Sequence, residues 1–220
     1  MYTIDDLYDL THTLGASYLR QFTYPWEALS GLSDYILQLG SQLSPAEYDE
    51  IAPQVWVHRT ASVAPTVSLN GPCIIGPNTE VRQCAFVRGS ALVGSGCVVG
   101  NSAELKNVIL FDSVQVPHFN YVGDSILGYK AHLGAGAVTS NVKADRSPVV
   151  IHAQPPIPTG RKKVGAMLGD FVEVGCNSVL NPGTVVGRNS NIYPLCCVRG
   201  VIPANSICKT GRIIVSKEEK

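Results

Sequence analysis

The stretch Val81-Arg-Gln-Cys-Ala-Phe-Val87-Arg-Gly-Ser-Ala-Leu-Val93-Gly-Ser-Gly-Cys-Val-Val99-Gly-Asn-Ser-Ala-Glu-Leu105 repeats itself every six residues. An aliphatic or aromatic residue returns without interruption from Val57 through Val63, Leu69, Ile75, Val81, Val87, Val93, Val99 and Leu105 to Phe111. Four positions after each stands a mostly small residue: Ala61, Val67, Cys73, Thr79, Ala85, Ala91, Cys97 and Ala103. A fixed short period is the signature of a solenoid, and it sets the architecture before any strand is counted. Both recurrent positions point inward, because each flat side of a coil is one short strand whose residues alternate in and out, and the turns between sides need small or permissive residues. Gly76, Gly94 and Gly100, each directly after a large apolar residue, suit such turns. The expected fold is all-β, a parallel β-helix of hexapeptide repeats.

Outward from that stretch the register falters twice. It shifts after Phe111, resumes at Leu127, Leu133 and Thr139, and is lost again until Leu168, Val174, Leu180, Val186, Ile192 and Val198. The second gap, 142–167, holds Pro148, Pro155, Pro156 and Pro158 and leads into the basic run Arg161, Lys162, Lys163. A long excursion of this kind is expected to project as a functional loop. Ahead of the repeats, residues 1–54 carry apolar positions at helical spacing (Leu7, Leu10, Leu14 and Leu19; Ala28, Leu29, Leu32, Ile36 and Leu39), and Ser44-Pro45-Ala46-Glu47 has the form of a capping box. The division expected is a short helical segment at 1–54 that covers the open end of the coil or a neighbouring subunit, a β-helix domain at 55–210, and a tail at 211–220.

Composition limits the partners. Charged residues are 15 % of the chain, with 17 basic and 17 acidic side chains, so no global field draws nucleic acid or an anionic membrane, and an anionic ligand must be held by local cations. No apolar run approaches the roughly 20 residues that span a bilayer. Seven cysteines without a CxxC pair, and an opening stretch that is polar and acidic, lead to the expectation of a soluble cytoplasmic protein. Cys73, Cys97 and Cys196 read as core residues.

Chemistry concentrates in Val99-Gly-Asn-Ser-Ala-Glu-Leu-Lys-Asn107, Pro117-His-Phe-Asn-Tyr-Val-Gly-Asp124 and Leu133-Gly-Ala-Gly-Ala-Val-Thr-Ser-Asn141. With the repeat, these segments resemble the hexapeptide-repeat acyltransferases. In particular they are similar to the acetyltransferase half of the bifunctional enzyme that acetylates glucosamine 1-phosphate and then uridylylates it. The later Thr159-Gly-Arg-Lys-Lys-Val-Gly-Ala166 is shared with the C-terminal domain of archaeal-type sugar-1-phosphate nucleotidylyltransferases. The general rule for parallel crossovers predicts a right-handed coil. The resemblance implies the opposite, a left-handed parallel β-helix of triangular section, in which the repeats here suffice for roughly six to seven turns.

The resemblance further implies an acetyl-CoA-dependent N-acetyltransferase of an amino-sugar phosphate, assembled as a homotrimer. His118 falls on the catalytic base, Arg88 and Lys106 on the cations that contact the phosphate, and Tyr121 and Asn141 on the rest of the amino-sugar pocket. Gly134 and Ala135, with Gly136, would offer backbone amides to the acyl group, and Arg161, Lys162 and Lys163 either contact coenzyme A phosphates or stay solvated. That family carries an Asn just before the Gly-Ala-Gly segment, where this chain has His132.

The residue types suit the chemistry. An amine attacking a thioester must lose a proton, which a His with an ordinary pKa of about 6.5 can accept near neutrality. Arg and Lys hold phosphate by charge-assisted hydrogen bonds. Each residue also has a plainer reading: a surface His, a solvated Lys or Arg, a Tyr filling a coil corner, an Asn in a turn. His118 stands where the six-residue register fails, which favours a site there. No metal is expected, since His12, His58, His118, His132 and His152 lack the spacing of the zinc carbonic anhydrases built on the same repeat. Nothing before residue 55 supplies the Gly-rich loop and βαβ units of a nucleotidyltransferase, so that second activity is not expected of this chain. The competing reading is a trimeric scaffold or a sugar-nucleotide-binding regulator that keeps the pocket without turnover.

Overall fold

The structure, a computed structural model describing residues 1–217, is a left-handed parallel β-helix with three flat faces. On the first face Cys73 pairs with Ala91, on the second Ser62 with Glu80, and on the third Ser68 with Phe86, each pair 18 residues apart. Three hexapeptides therefore make one turn. The third face stacks seven strands, from Ser68–Leu69 to Cys197–Val198. The second face is a sheet of its own, closed at its C-terminal edge by the antiparallel strand Ile213–Ser216 on Ser206–Lys209. First and third faces merge into one 14-stranded sheet, because Glu104–Leu110 and Tyr121–Leu127 run round the corner between them without a break.

Inward columns fill the prism as the six-residue period requires. Ile75, Val93, Leu110, Leu127, Leu168 and Val186 stack from the first face, and Val87, Leu105, Val122, Thr139, Leu180 and Val198 from the third, all essentially without solvent contact. Leu110 rather than Phe111 continues the column of Val93, so the register slips before Phe111. Phe111 is buried instead against the ring of Tyr8, 5.0 Å away between centroids. Corner residues take the left-handed backbone conformation turn after turn, as at Asn78, Gly96, Ser113 and Lys130 on one edge and Cys84, Ser102, Phe119 and Gly136 on the next.

Of the segment 1–54, the strand Tyr48–Ala52 does stand at an end of the coil, antiparallel on Val55–His58, but residues 1–43 do not. They form short helices at Ile4–Leu7, Ala16–Leu19 and Leu32–Gln42 and run lengthwise along the first face. Ala204 N–H donates to the Tyr2 hydroxyl (2.6 Å), Asp170 N–H to Leu7 O (3.0 Å) and Asp112 N–H to His12 O (3.0 Å), and Gly40 lies directly against the Trp56 ring. The reason lies in the strands beneath: Cys-Ile-Ile, Ala-Leu-Val and Ala-Met-Leu are apolar on both sides, as in strands buried on both faces. Their outward residues Ile74, Leu92, Ile109, Ile126, Met167 and Val185 are at most 1 % exposed under this strap. Ser44-Pro45-Ala46-Glu47 forms a turn, not a helix start, and leads into the strand Tyr48–Ala52; a capping box stands instead at Thr3 with Asp6, and Glu27 accepts the Tyr24 N–H at another helix start.

The long excursion leaves the coil after Val138–Thr139 and rejoins it at Ala166–Leu168, so that Val138 pairs with Val179, 41 residues on. It is not structureless. Val150–Ile151 and Ile157–Pro158 pair antiparallel, and Val149, Ile151 and Val164 are fully buried where the excursion folds back on the coil.

Candidate active site

The corner between the third and first faces sets the site. In an ordinary turn the chain takes four steps from the last inward residue of the third face to the first strand residue beyond the corner, as from Val87 to Ala91. Two consecutive turns take three, from Leu105 to Val108 and from Val122 to Ser125. With one residue fewer, the corner is closed by a left-handed residue, Asn107 (φ 55°) in one turn and Asp124 (φ 48°) in the next. Asn and Asp tolerate that conformation best among residues with a side chain. The next turn, at the same corner, carries the excursion. The two shortened corners and the insertion are the three places where the chain departs from its six-residue register.

Asp124 is the centre of the cluster. Its side chain is 2 % exposed, and its carboxylate takes Lys106 Nζ at 3.0 and 3.2 Å, Asn107 Nδ2 at 2.8 Å and Asn141 Nδ2 at 2.6 Å. Asn141 also donates to the Tyr121 hydroxyl at 3.1 Å. Burial, and then the charge of Asp124, raise the Tyr121 phenol above its ordinary pKa, so it stays protonated and can donate to a ligand. On the same outward side Arg88 is paired with Glu104 at 2.8 Å. Gly123 leaves the room for this arrangement, because a Cβ there would stand 2.4 Å from the Tyr121 hydroxyl and 2.9 Å from Asn141 Nδ2. The excursion closes on the cluster, with Val164 N–H bound to Asn141 O and Gly165 N–H to Asp124 O.

Lys106, Tyr121 and Asn141, drawn from three successive turns, are thus neighbours, and Arg88, one turn before them, is held by Glu104 outside the hydrogen-bonded group. His118 is not part of that hydrogen-bonded group. It ends the strand Gln115–His118 on the second face, pairs across with Asn101, and is exposed at the opposite corner of the third face. Its backbone is held by Asn120 Oδ1 and by the N–H of Gly136. Tyr121 lies between them, and the three residues from Tyr121 to Asp124 span roughly 10 Å of strand. The register is intact around His118, since Leu110, Val116 and Val122 keep six-residue spacing and inward stacking. The breaks lie on either side, at Lys106-Asn107 and Gly123-Asp124.

Of the backbone amides near the Gly-Ala-Gly segment, Gly134 N–H is committed to Val174 O and Gly136 N–H to His118 O; Ala135 N–H has no such acceptor among the described residues. Arg161, Lys162 and Lys163 come to lie beside Lys106 and Asp124, around a cavity of about 580 Å³. His132 sits on the second face in contact with Glu173 at 2.7 Å, away from the cluster. The sequence reasoning passed over Asp124 and Glu104 as site residues. Asp124 had one readable signal: it ends the segment 117–124, 17 residues after Asn107 and in the same corner position. No helix among the described residues is long and apolar enough to cross a membrane.

Against known proteins, residues 69–155 match a family described as the GMPPB C-terminal domain. The chain is similar to the bifunctional protein GlmU of Methanococcus maripaludis strain S2, 29% identical over 214 residues that cover 91% of this chain and 50% of that protein. It is similar to the GlmU of Nostoc sp. PCC 7120, 29% identical over 184 residues covering 81% and 36%. It is also similar to a bifunctional sugar-1-phosphate nucleotidylyltransferase/acetyltransferase of Sulfurisphaera tokodaii, 31% identical over 120 residues covering 54% and 28%. The chain thus spans half or less of the length of these relatives. Among solved structures, the acetyltransferase domain of PglB from Neisseria gonorrhoeae, in complex with acetyl coenzyme A, matches at 15% identity over 74% of this chain and 57% of that one, with a TM-score of 0.35.

Proposed function

We propose that this chain is an acetyl-CoA-dependent N-acetyltransferase of an amino-sugar phosphate such as glucosamine 1-phosphate. The observation that carries the reading is the meeting of Lys106, Tyr121 and Asn141 around Asp124, with Arg88 on Glu104 one turn before them, on one outward face that ends at His118. Likeness to the bifunctional GlmU proteins over most of the chain supports it.

The sugar lies across the third face with its phosphate toward Arg88 and Lys106, and with Tyr121 and Asn141 against its hydroxyls. Its amine is directed toward His118. Acetyl-CoA supplies the acyl group as a thioester. The amine nitrogen attacks the carbonyl carbon, His118 takes the proton the nitrogen gives up, the C–S bond breaks, and the leaving sulfur ends as the coenzyme A thiol after accepting a proton. Ala135 N–H is the amide free to meet the charge that builds on the carbonyl oxygen.

A homotrimer is part of the same proposal, because a single flat face encloses no ligand and cyclic symmetry closes such a contact between copies. Support comes from the corner that carries His118. Phe119 and Leu195 hold left-handed backbone there with 62 % and 71 % of their surface exposed, an arrangement that a neighbouring copy would relieve of water contact.

The test is release of coenzyme A thiol from acetyl-CoA with a panel of amino-sugar 1-phosphates, for the wild type and for His118→Ala. Turnover in the wild type and a loss of at least about 100-fold in the variant is expected. Absence of turnover on every acceptor would leave a scaffold or a binding regulator. Undiminished turnover in the variant would remove His118 as the base.

A further inference from the structure

At the corner between the second and third faces the inward position is small in turn after turn: Ala85, Ala103, Ala137, Ser178 and Cys196, all buried. In the turn that carries His118 it is Asn120, 2 % exposed. A carboxamide in this column goes against the repeat, and a buried amide group is tolerated only with its hydrogen bonds made. Asn120 makes them with particular partners. Its Oδ1 accepts the His118 N–H at 3.0 Å, and its Nδ2 donates to Gly134 O at 2.9 Å and to Ala137 O at 3.0 Å. Ser178 does only part of this: its hydroxyl donates to Tyr193 O at 2.9 Å and accepts the Cys196 N–H at 3.3 Å, both in the turn that follows it. The bond back to its own turn, onto the residue that bears the imidazole, belongs to Asn120.

His118 and Ala135 hold the same position in successive turns, since Gln115 pairs with His132, and Phe119 N–H binds Asn101 O as Gly136 N–H binds His118 O. Their amides are therefore equivalent donors, one strand spacing of about 4.8 Å apart. Asn120 engages that of His118, while that of Ala135 has no acceptor among the described residues. The His118 carbonyl is held as well, by Gly136 N–H at 3.0 Å. The main chain under the imidazole is thus pinned on both sides to the corner 134–137, which presents the free amide. We propose that Asn120 is a positioning residue for acyl transfer, holding His118 in place against the amide of Ala135 without itself touching the substrate. The inference rests on the acetyltransferase reading with His118 as its base. A displacement of about 1 Å is enough to cost about 100-fold in rate, so one tether lost from an exposed strand end has a measurable effect.

The experiment is steady-state release of coenzyme A thiol from acetyl-CoA, with the panel of amino-sugar 1-phosphates as acceptors, by the full chain and by Asn120→Ser and Asn120→Ala, each also made in the His118→Ala background, with a thermal melt of every protein. Serine copies Ser178 and is placed to keep the bond to Gly134 O; alanine copies Ala103 and Ala137, so the coil already accommodates both. The expected result is a fall in kcat of about 10- to 100-fold in both variants, with KM for either substrate within about 3-fold and Tm within about 4 °C of wild type. In the His118→Ala background the serine change is expected to cost less than about 3-fold, because a residue that acts through His118 then has nothing left to position. A kcat within about 3-fold of wild type, an effect on KM alone, an equal loss with and without His118, or loss of the fold in both variants overturns the inference and assigns Asn120 to the coil. In each of those cases wild-type turnover leaves the acetyltransferase reading standing. Absence of wild-type turnover on every acceptor sinks that reading, and undiminished turnover in His118→Ala removes the base; the positioning role falls with either.

Discussion

Replacing Asp124 by Asn removes one charge from the centre of the site and changes little else. Asn matches Asp in shape and accepts the left-handed conformation at φ 48°, so the shortened corner keeps its backbone. The carboxylate now receives four donor contacts, two of them from Lys106. An amide offers one oxygen, and its own N–H₂ would face either Asn141 Nδ2, 2.6 Å away, or Lys106. Breaking a buried pair by removing one partner costs about 3–5 kcal/mol. Lys106 is 28 % exposed and can turn partly to water, which brings the expected cost to about 2–3 kcal/mol. For a chain of this length each kcal/mol moves Tm by about 2–4 °C, so a fall of about 4–12 °C is expected at fixed protein concentration. A thermal melt of the variant, with Lys106→Met alone and the double variant beside it, measures both the loss and the coupling, expected at about 1 kcal/mol or more. A Tm within about 2 °C of wild type, or strictly additive single losses, would refute the claim that Asp124 organises the cluster.

Gly123→Ala is expected to spare the fold but cost about 100-fold in acyl transfer, because the new methyl displaces the free ends of Tyr121 and Asn141; steady-state kinetics beside a melt separates the two effects. Gly100→Ala has the opposite profile: its Cβ would stand 1.6 Å from Pro117 O, a backbone atom of the next turn, so loss of soluble folded protein is the expected result of expression and circular dichroism. Burial pushes the thiols of Cys73 and Cys97 up to about 12, and both should resist alkylation at pH 8 until denaturant is added, as read by mass spectrometry of the labelled peptides. Burial raises the Asp112 carboxyl above its ordinary 3.8, which means the folded state holds this proton more tightly than the unfolded chain. Its contribution to stability is then fully present below 3.8 and lost as pH rises through the folded pKa. Asp112→Asn should remove that fall, and urea unfolding at a series of pH values from 3.5 upward would expose a wrong sign.

The coil was legible because its cause is local. Val81, Val87, Val93 and Val99 point inward for the same reason each time, a short strand between two turns, and the repetition makes that reason visible without knowledge of neighbours. The strap was only half legible. Its helical spacing could be read, but its place required noticing that Cys73-Ile-Ile75 and Ala91-Leu-Val93 are apolar on the outward side too, a signal hidden inside the inward repeat. Phe111 misled because it is as apolar as the residue it displaced, so a one-residue slip at Lys106-Asn107 passed unnoticed and the failure of register was placed near His118.

The sequence by itself determined the repeat, the inward columns, the position of the excursion and, through resemblance, the candidate residues of the site. Tertiary structure decided which outward side chains meet. Lys106, Asp124 and Asn141 are 17 or 18 residues apart and touch because strands stack turn upon turn, with two corners each shortened by one residue. Arg161, Lys162 and Lys163 reach the same corner because the excursion leaves and re-enters the coil there, a return set by the burial of Val149, Ile151 and Val164 and not by any local pattern. A period of six encodes each turn's own geometry; contacts between turns depend on how the turns register, which no single hexapeptide carries.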